Sequence, residues 1–333
     1  MKDLPQITPY SRSYYFAWLL VIYTVVVVAW GAWVRISGSG AGCGEDWPLC
    51  NGQAVPLNAP IKTWIEISHR YSTALYGLLV LALIICSRCI FSRGHPARLW
   101  SILVLVFTLT EALIGRQLVT MKLVDESTEI VRMLVMPLHL INTSFLLFCA
   151  VMAAESFRYG DRARRPISSE LKKLGVLAIL ALLLLMTSGA IAALASHLFP
   201  SLSLILGLRK DLAPTAHPAL RLRILHPILA LSLLLIVPYF ISSIKAAAPS
   251  QQARLWFNRL GYTTYAAILI GTATLLLLAP AWLKITHLVM ANVLVIVASL
   301  ALFHTYRPTP PFGPPFGPPF GPPFGPPFGS QTR

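Results

Sequence analysis

The sequence predicts an all-α polytopic membrane protein: eight transmembrane helices arranged as two pseudo-symmetric four-helix bundles, with both termini cytoplasmic. Three observations carry this. The 333 residues are 56% hydrophobic and 12% charged, and apolar stretches near twenty residues recur along most of the chain. The connections between them alternate between base-rich and acid-containing. Short motifs in the first half return, in order, in the second.

Residues 1–14 are read as a cytoplasmic N-terminal segment, and the first span, about 15–35, as a retained helix. A cleavable signal would need a strongly basic start and a small-x-small cleavage site, and neither is present. RISGSGAGCGEDWPLCNG, residues 35–52, runs from the end of that span into the outer loop 36–62: a Gly/Ser-rich turn followed by Cys43, a Trp-Pro pair and Cys50. The next spans are about 63–88, 99–119 and 131–156. Cys86 and Cys89 form a C-x-x-C at the end of the second span; without a further ligand pair, His95 aside, they read as small apolar residues rather than half a zinc site. A basic connection, 157–173, separates this half from spans at about 174–195, 220–244, 260–279 and 284–306. The tail 307–333 repeats PPFG five times, a composition that excludes a helix or packed core and predicts a disordered or polyproline-like segment.

The formal charge of +15 is topological. Arg88, Arg93 and Arg98 flank one connection, Arg158, Arg162, Arg164, Arg165, Lys172 and Lys173 fill another, and Lys245, Arg254 and Arg259 lie in a third. The intervening connections carry Glu45, Asp46, Asp125, Glu126, Glu129 and Asp211. The positive-inside rule makes the basic loops cytoplasmic and argues against nucleic acid as a partner. The first loop then faces an oxidising compartment, where paired cysteines can persist as a disulfide. The expected location is the plasma or inner membrane.

The repeat is visible in spacing. HRYSTALYGLLV aligns with HPILALSLLLIV, LIGRQLV with LIGTATL, and HLIN with HLVMAN. His69 precedes Gly115 by 46 residues and His226 precedes Gly271 by 45; the next histidines, His139 and His287, follow after 24 and 16. These four histidines lie within about the first two turns of spans that run inward, and so share one layer near the outer surface. Imidazole inside a membrane is costly unless it is paired, faces a cavity or binds something. Histidines from facing helices of an apolar bundle suit the two faces of a haem, with another metal, a proton path or a packing role as alternatives.

One asymmetry separates the halves. In WIEISHR, Glu66 lies one turn before His69, whereas Arg223 holds the matching place in RLRILHP. Glu66 could act chemically or simply pair with Arg70 or Lys62. Arg35, Arg70, Arg221 and Arg223 sit near outer helix ends, where they could bind haem propionates or anchor to lipid headgroups.

Taken together, the cysteine loop, the Glu-x-x-His-Arg motif of WIEISHR and the motifs HLIN, RILHP and HLVMAN resemble the haem A synthase family over about residues 15–306. The resemblance implies oxidation of a ring methyl of haem O to a formyl group through a hydroxymethyl stage. It further implies Glu66, His69 and His139 at the reacting haem, His226 and His287 as axial ligands of a cofactor haem b, and a Cys43–Cys50 disulfide. The four histidines would then be the haem-iron ligands. Implied partners are the farnesyltransferase that makes haem O, the assembling terminal oxidase and membrane lipid, with a homo-oligomer left open. The PPFG tail and Arg116 depart from the family pattern. A bis-histidine di-haem b-type electron-transfer cytochrome is the alternative. A thiol–quinone oxidoreductase would need a second outward-facing cysteine pair as relay.

Overall fold

A computed structural model describes residues 9–125, 127–159, 168–247 and 250–306. Residues 1–8, Glu126, most of the basic connection (160–167) and the PPFG tail lie outside the described residues. Ten α-helices account for nearly all the rest: α1 Pro9–Ile36, α2 Ile61–Ile90, α3 Pro96–Thr120, α4 Ile130–Tyr159, α5 Ser169–Leu198, α6 Leu204–Leu212, α7 Pro218–Arg223, α8 Leu225–Ala247, α9 Gln251–Leu276 and α10 Ala281–Tyr306. Among the described residues there is no β-strand, only an isolated bridge between Cys50 and Gln53.

Among the described residues, seven segments are long and apolar enough to cross a membrane: α1 to α5, α7 with α8, and α10. The seventh expected span, 260–279, falls in α9, which is not among them. The first third of α9 carries Arg254, Asn258 and Arg259, and the helix closes at Leu276, before its apolar run is complete. The surfaces of these helices are apolar: Leu235 is 82% exposed and Leu269 72% exposed, positions that only a lipid solvent makes favourable. The protein is a multi-pass membrane protein.

Starts and stops follow local chemistry. His95 and His217 each precede Pro-Ala and cap α3 and α7, their Nδ1 atoms accepting from the backbone N–H of Ala97 and Ala219. These two histidines therefore form a repeated feature of their own. Ser168, Ser203 and Ser250 cap α5, α6 and α9 through their hydroxyls. The sixth span is interrupted at Ile224, between α7 and α8.

Packing closes two rings. α1 packs on α2, α2 on α3, α3 on α4 and α4 on α1; α5, α8, α9 and α10 repeat the pattern. The rings meet through α1 and α4 against α5 and α10. The main core is shared across this junction, from Leu20, Val21 and Val80 through Leu147, Ala150 and Ala154 to Met186, Val295 and Leu300. The connection between the first two helices of each ring differs: the cysteine loop in one, and the short helix α6, with Ile205 and Leu212 exposed, in the other.

Candidate functional site

The four histidines sit near the helix ends on the cysteine-loop side, each beside a glycine of the preceding long helix of its ring. A methyl group on Gly31 would lie 2.9 Å from His69 Cε1; on Gly189, 3.0 Å from His226 Cε1; and on Gly271, 2.8 Å from His287 Cε1. At Gly115 it would stand 3.9 Å from His139 Cε1, an ordinary contact. Gly31, Gly115 and Gly271 each lie five residues before the end of their helix. The glycine–histidine pair is thus the repeated unit, made once by α1 and α2, once by α3 and α4, and twice more in the second ring. Gly115 and Gly271 marked the repeat in the sequence; Gly31 and Gly189 went unnoticed because a small residue in an apolar run carries no signal of its own.

His226 and His287 face one another with ring centroids 6.2 Å apart and planes inclined at 68°. Two imidazoles ligating one metal ion through Nε2, at about 2 Å per bond, place their centroids roughly 6 Å apart. The separation of the two rings matches that expected for a shared iron. Ser188 Oγ lies 3.2 Å from His226 Nδ1 and orients that ring. The buried Nδ1 atoms of His69 and His287 have no hydrogen-bond partner, and that of His139 has the Glu111 carboxylate 3.4 Å away but no hydrogen bond to it. Such imidazoles are poorly compensated in apolar surroundings, and ligation through the other nitrogen offsets that cost.

Glu66 is buried and engaged on both oxygens. Oε2 accepts from Cys43 N at 2.8 Å and Oε1 from Arg70 Nη2 at 2.5 Å. Of the two pairings open from sequence, the one with Arg70 is made. Arg70 Nη1 also donates to the carbonyls of Asp46 and Leu49, each at 2.6 Å, and the Tyr71 hydroxyl donates to that of Ala54. Thr63, Glu66 and Arg70, spaced by three and four residues, form one face of α2 that fastens the loop. Cys43 and Cys50 are joined as a disulfide and fully buried against Ile67. Gly42 packs so tightly on the start of α2 that a Cβ there would lie 2.8 Å from the Lys62 carbonyl. The loop is also tied to the α3–α4 connection by Gly40 N donating to Asp125 Oδ1 at 3.1 Å and by a surface ion pair, Lys122 to Glu45, at 2.7 Å. The hydrogen bond and charge of Glu45 hold the Lys122 ammonium above its ordinary pKa.

The arginines divide. Arg223 is paired with Asp211, Nη2 to Oδ1 at 2.5 Å and Nε to Oδ2 at 3.0 Å, so the second ring's base is neutralised by a carboxylate from α6. Arg221 donates to the Pro214 carbonyl at 2.5 Å and is exposed. Arg35 keeps a buried Nε with no hydrogen-bond partner. Cys86 and Cys89 are unpaired thiols, and His95 stacks on Phe91 at 3.8 Å. Among the described residues no group of three or more His, Cys, Asp and Glu side chains could hold a metal ion.

Sequence reading also missed Glu111 on α3. Its Oε2 accepts from Asn142 Nδ2 at 2.6 Å, its Oε1 accepts from the Thr143 hydroxyl, and the same Oε1 lies 3.4 Å from His139 Nδ1. The only signal was a lone acid in an apolar helix, four residues before Gly115, where the second repeat has Ala267.

An all-helical chain with long apolar helices, a repeated layer of glycine-backed histidines and a disulfide-stapled loop over one end is a multi-pass membrane protein with histidine pairs available as ligands. The family described as cytochrome oxidase assembly protein matches residues 14–299. The chain belongs to this haem A synthase family. It is 31% identical over 159 residues to the heme A synthase of Exiguobacterium sibiricum, covering 48% of this chain and 52% of the relative. It is 41% identical over 104 residues to that of Bacillus mycoides, covering 30% and 33%. A Thermus thermophilus protein named protoheme IX farnesyltransferase is 38% identical over 282 residues, covering 85% of this chain and 46% of that protein. The chain thus spans about half the length, or less, of these relatives.

Proposed function

We propose that this protein is a haem A synthase that oxidises a ring methyl of haem O to a formyl group, through a hydroxymethyl stage, for terminal oxidase assembly. In this reading the chain crosses the plasma or inner membrane eight times, α9 included, with the disulfide loop outside and both termini inside. The first ring takes haem O as substrate and the second holds a haem b. The observation that carries the reading is the facing His226–His287 pair within a fourfold repeat of glycine-backed histidines, in a chain of this family.

Haem b, when bound by His226 and His287, supplies one-electron transfer. The remaining work falls to the chain itself. His69 and His139 take the matching places in the first ring and bind the substrate's iron. Glu66, one turn from His69, is fixed by Cys43 N–H and Arg70 and presents a carboxylate that accepts a proton or stabilises positive charge at the reacting methyl. The same two contacts fasten the disulfide loop, which excludes water from that end of the ring. Arg35, with its buried unpartnered Nε, is the strongest propionate contact of the four arginines; Arg70, Arg221 and Arg223 already bond to protein groups.

The Thermus thermophilus relative supports a haem-farnesylating enzyme as partner, since its name covers a protein more than twice the matched length. It also raises prenyl transfer as a second reading. Expression of the chain in cells that contain haem O but lack haem A synthase separates the two. Appearance of haem A is expected. No haem A, with haem O unchanged, would favour an electron-transfer cytochrome, and new haem O in cells lacking the farnesyltransferase would favour prenyl transfer.

A further inference from the structure

We infer that Glu111 is a positioning residue for His139, holding the Nδ1 side of its imidazole and strengthening the donation of Nε2 to an iron bound in the first ring. The inference rests on the proposed role of His139 as a ligand of that iron.

Three observations converge on Glu111. The first is steric. His69, His226 and His287 are wedged against their glycines, but His139 stands clear of Gly115 by a full van der Waals contact, so its ring needs another brace. Glu111 lies one turn before Gly115 on α3, with Oε1 3.4 Å from His139 Nδ1. The second is anchoring. Asn142 and Thr143, three and four residues after His139, both donate to the Glu111 carboxylate, so the residues that hold it share a helix face with the histidine it meets. Asn142 is fixed in turn, donating to the Phe107 carbonyl at 2.9 Å and accepting from Thr110 Oγ1 at 2.7 Å. The third is asymmetry. In the second ring the residue matching Glu111 is Ala267, and the polar group beside His226 Nδ1 is the neutral hydroxyl of Ser188.

A carboxylate behind a ligating histidine fixes the ring and raises its basicity, and its negative charge favours the more positive oxidation state of the metal. In a low-dielectric bundle this preference is weakly screened. The two irons would therefore differ in potential by design: one backed by a carboxylate, the other by a hydroxyl.

The test uses the full chain, purified and loaded with haem O, with each haem followed by spectroelectrochemical titration and ferric electron paramagnetic resonance. His139→Ala should remove the first-ring haem signature. Glu111→Gln should weaken the ferric-over-ferrous preference of that haem about tenfold, read as a rise of about 59 mV in its midpoint, and alter its ferric resonance, while the second-ring haem keeps both. Glu111→Asp should restore part of the shift. If Glu111→Gln does not retain haem O, Glu111→Ala gives the same reading. A first-ring haem lost in His139→Ala but unshifted in the Glu111 variants overturns the inference and leaves the proposed function standing. So does lowered haem content at an unshifted midpoint, which would be a packing role. A first-ring haem unaffected by His139→Ala overturns the ligand assignment and the inference with it.

Discussion

Replacing Gly271 by alanine adds one methyl at a place where the structure leaves no room for it. The new Cβ would lie 2.8 Å from His287 Cε1, 3.3 Å from Nε2 and 3.4 Å from Nδ1. Ordinary contact begins near 3.4 Å, so the ring must recede by about 0.6 Å. Metal–nitrogen distances tolerate about 0.2 Å, and the ring has a partner, His226, 6.2 Å away that does not move with it. Ligation by His287 is therefore strained or lost. Disturbing the support of a metal ligand costs about 10–100-fold in affinity. Folding is spared, because alanine is the better helix former by up to about 1 kcal/mol and the ring itself can turn aside. The assay is the haem-to-protein ratio of the purified variant and its rate of haem loss to an apo-globin acceptor. Gly189→Ala, at 3.0 Å from His226, should behave alike, and Gly115→Ala, at 3.9 Å from His139, should not. Wild-type retention in Gly271→Ala, or equal loss in Gly115→Ala, would refute the argument that these glycines set the ligand positions.

Other outcomes follow from the same contacts. Glu66→Gln keeps the volume and one acceptor but loses the charge facing Arg70; haem O conversion should fall on the order of 10²–10⁴-fold while the second-ring haem spectrum stays normal, as measured in membranes with added haem O. Cys43 and Cys50 should resist alkylation until a reductant is added, whereas Cys86 and Cys89 react without one; mass mapping of labelled peptides reads both. Cys43→Ser opens a short ring and should lower stability by about 2–4 kcal/mol, measured as a reduced unfolding temperature in detergent. Asp211→Asn leaves half-buried Arg223 without its counter-charge and should destabilise the α6 connection, seen as faster proteolysis there, with the first ring's haem unaffected.

The histidine layer was legible because imidazole is conspicuous in an apolar span and because its depth repeats. The partners of those histidines were less so. Gly31 and Gly189 look like any small residue until the neighbouring helix is in place, and Glu111 acquires meaning only when α3 sets it beside His139. The pairing of Glu66 with Arg70 was foreseeable from their four-residue spacing, but its second bond, to Cys43 N, depends on how the loop folds back. The ion pair of Arg223 with Asp211 was not legible because the two lie twelve residues apart and Asp211 falls in what reads as a connection; the helix α6 that carries it is too short for its periodicity to stand out. The seventh expected span was marked by an apolar run whose polar leading turns belong to the same helix, α9.

The central claim, that this chain oxidises haem O, is tested most directly by the porphyrins it contains. The protein is purified from cells making haem O, and its haems are extracted, separated by chromatography and weighed by mass spectrometry. Haem b together with haem O and its hydroxymethyl and formyl products is expected from the intact chain, and haem b with unconverted haem O from Glu66→Gln. Haem b alone in both rings, with haem O present in the same membranes and untouched, would contradict the account.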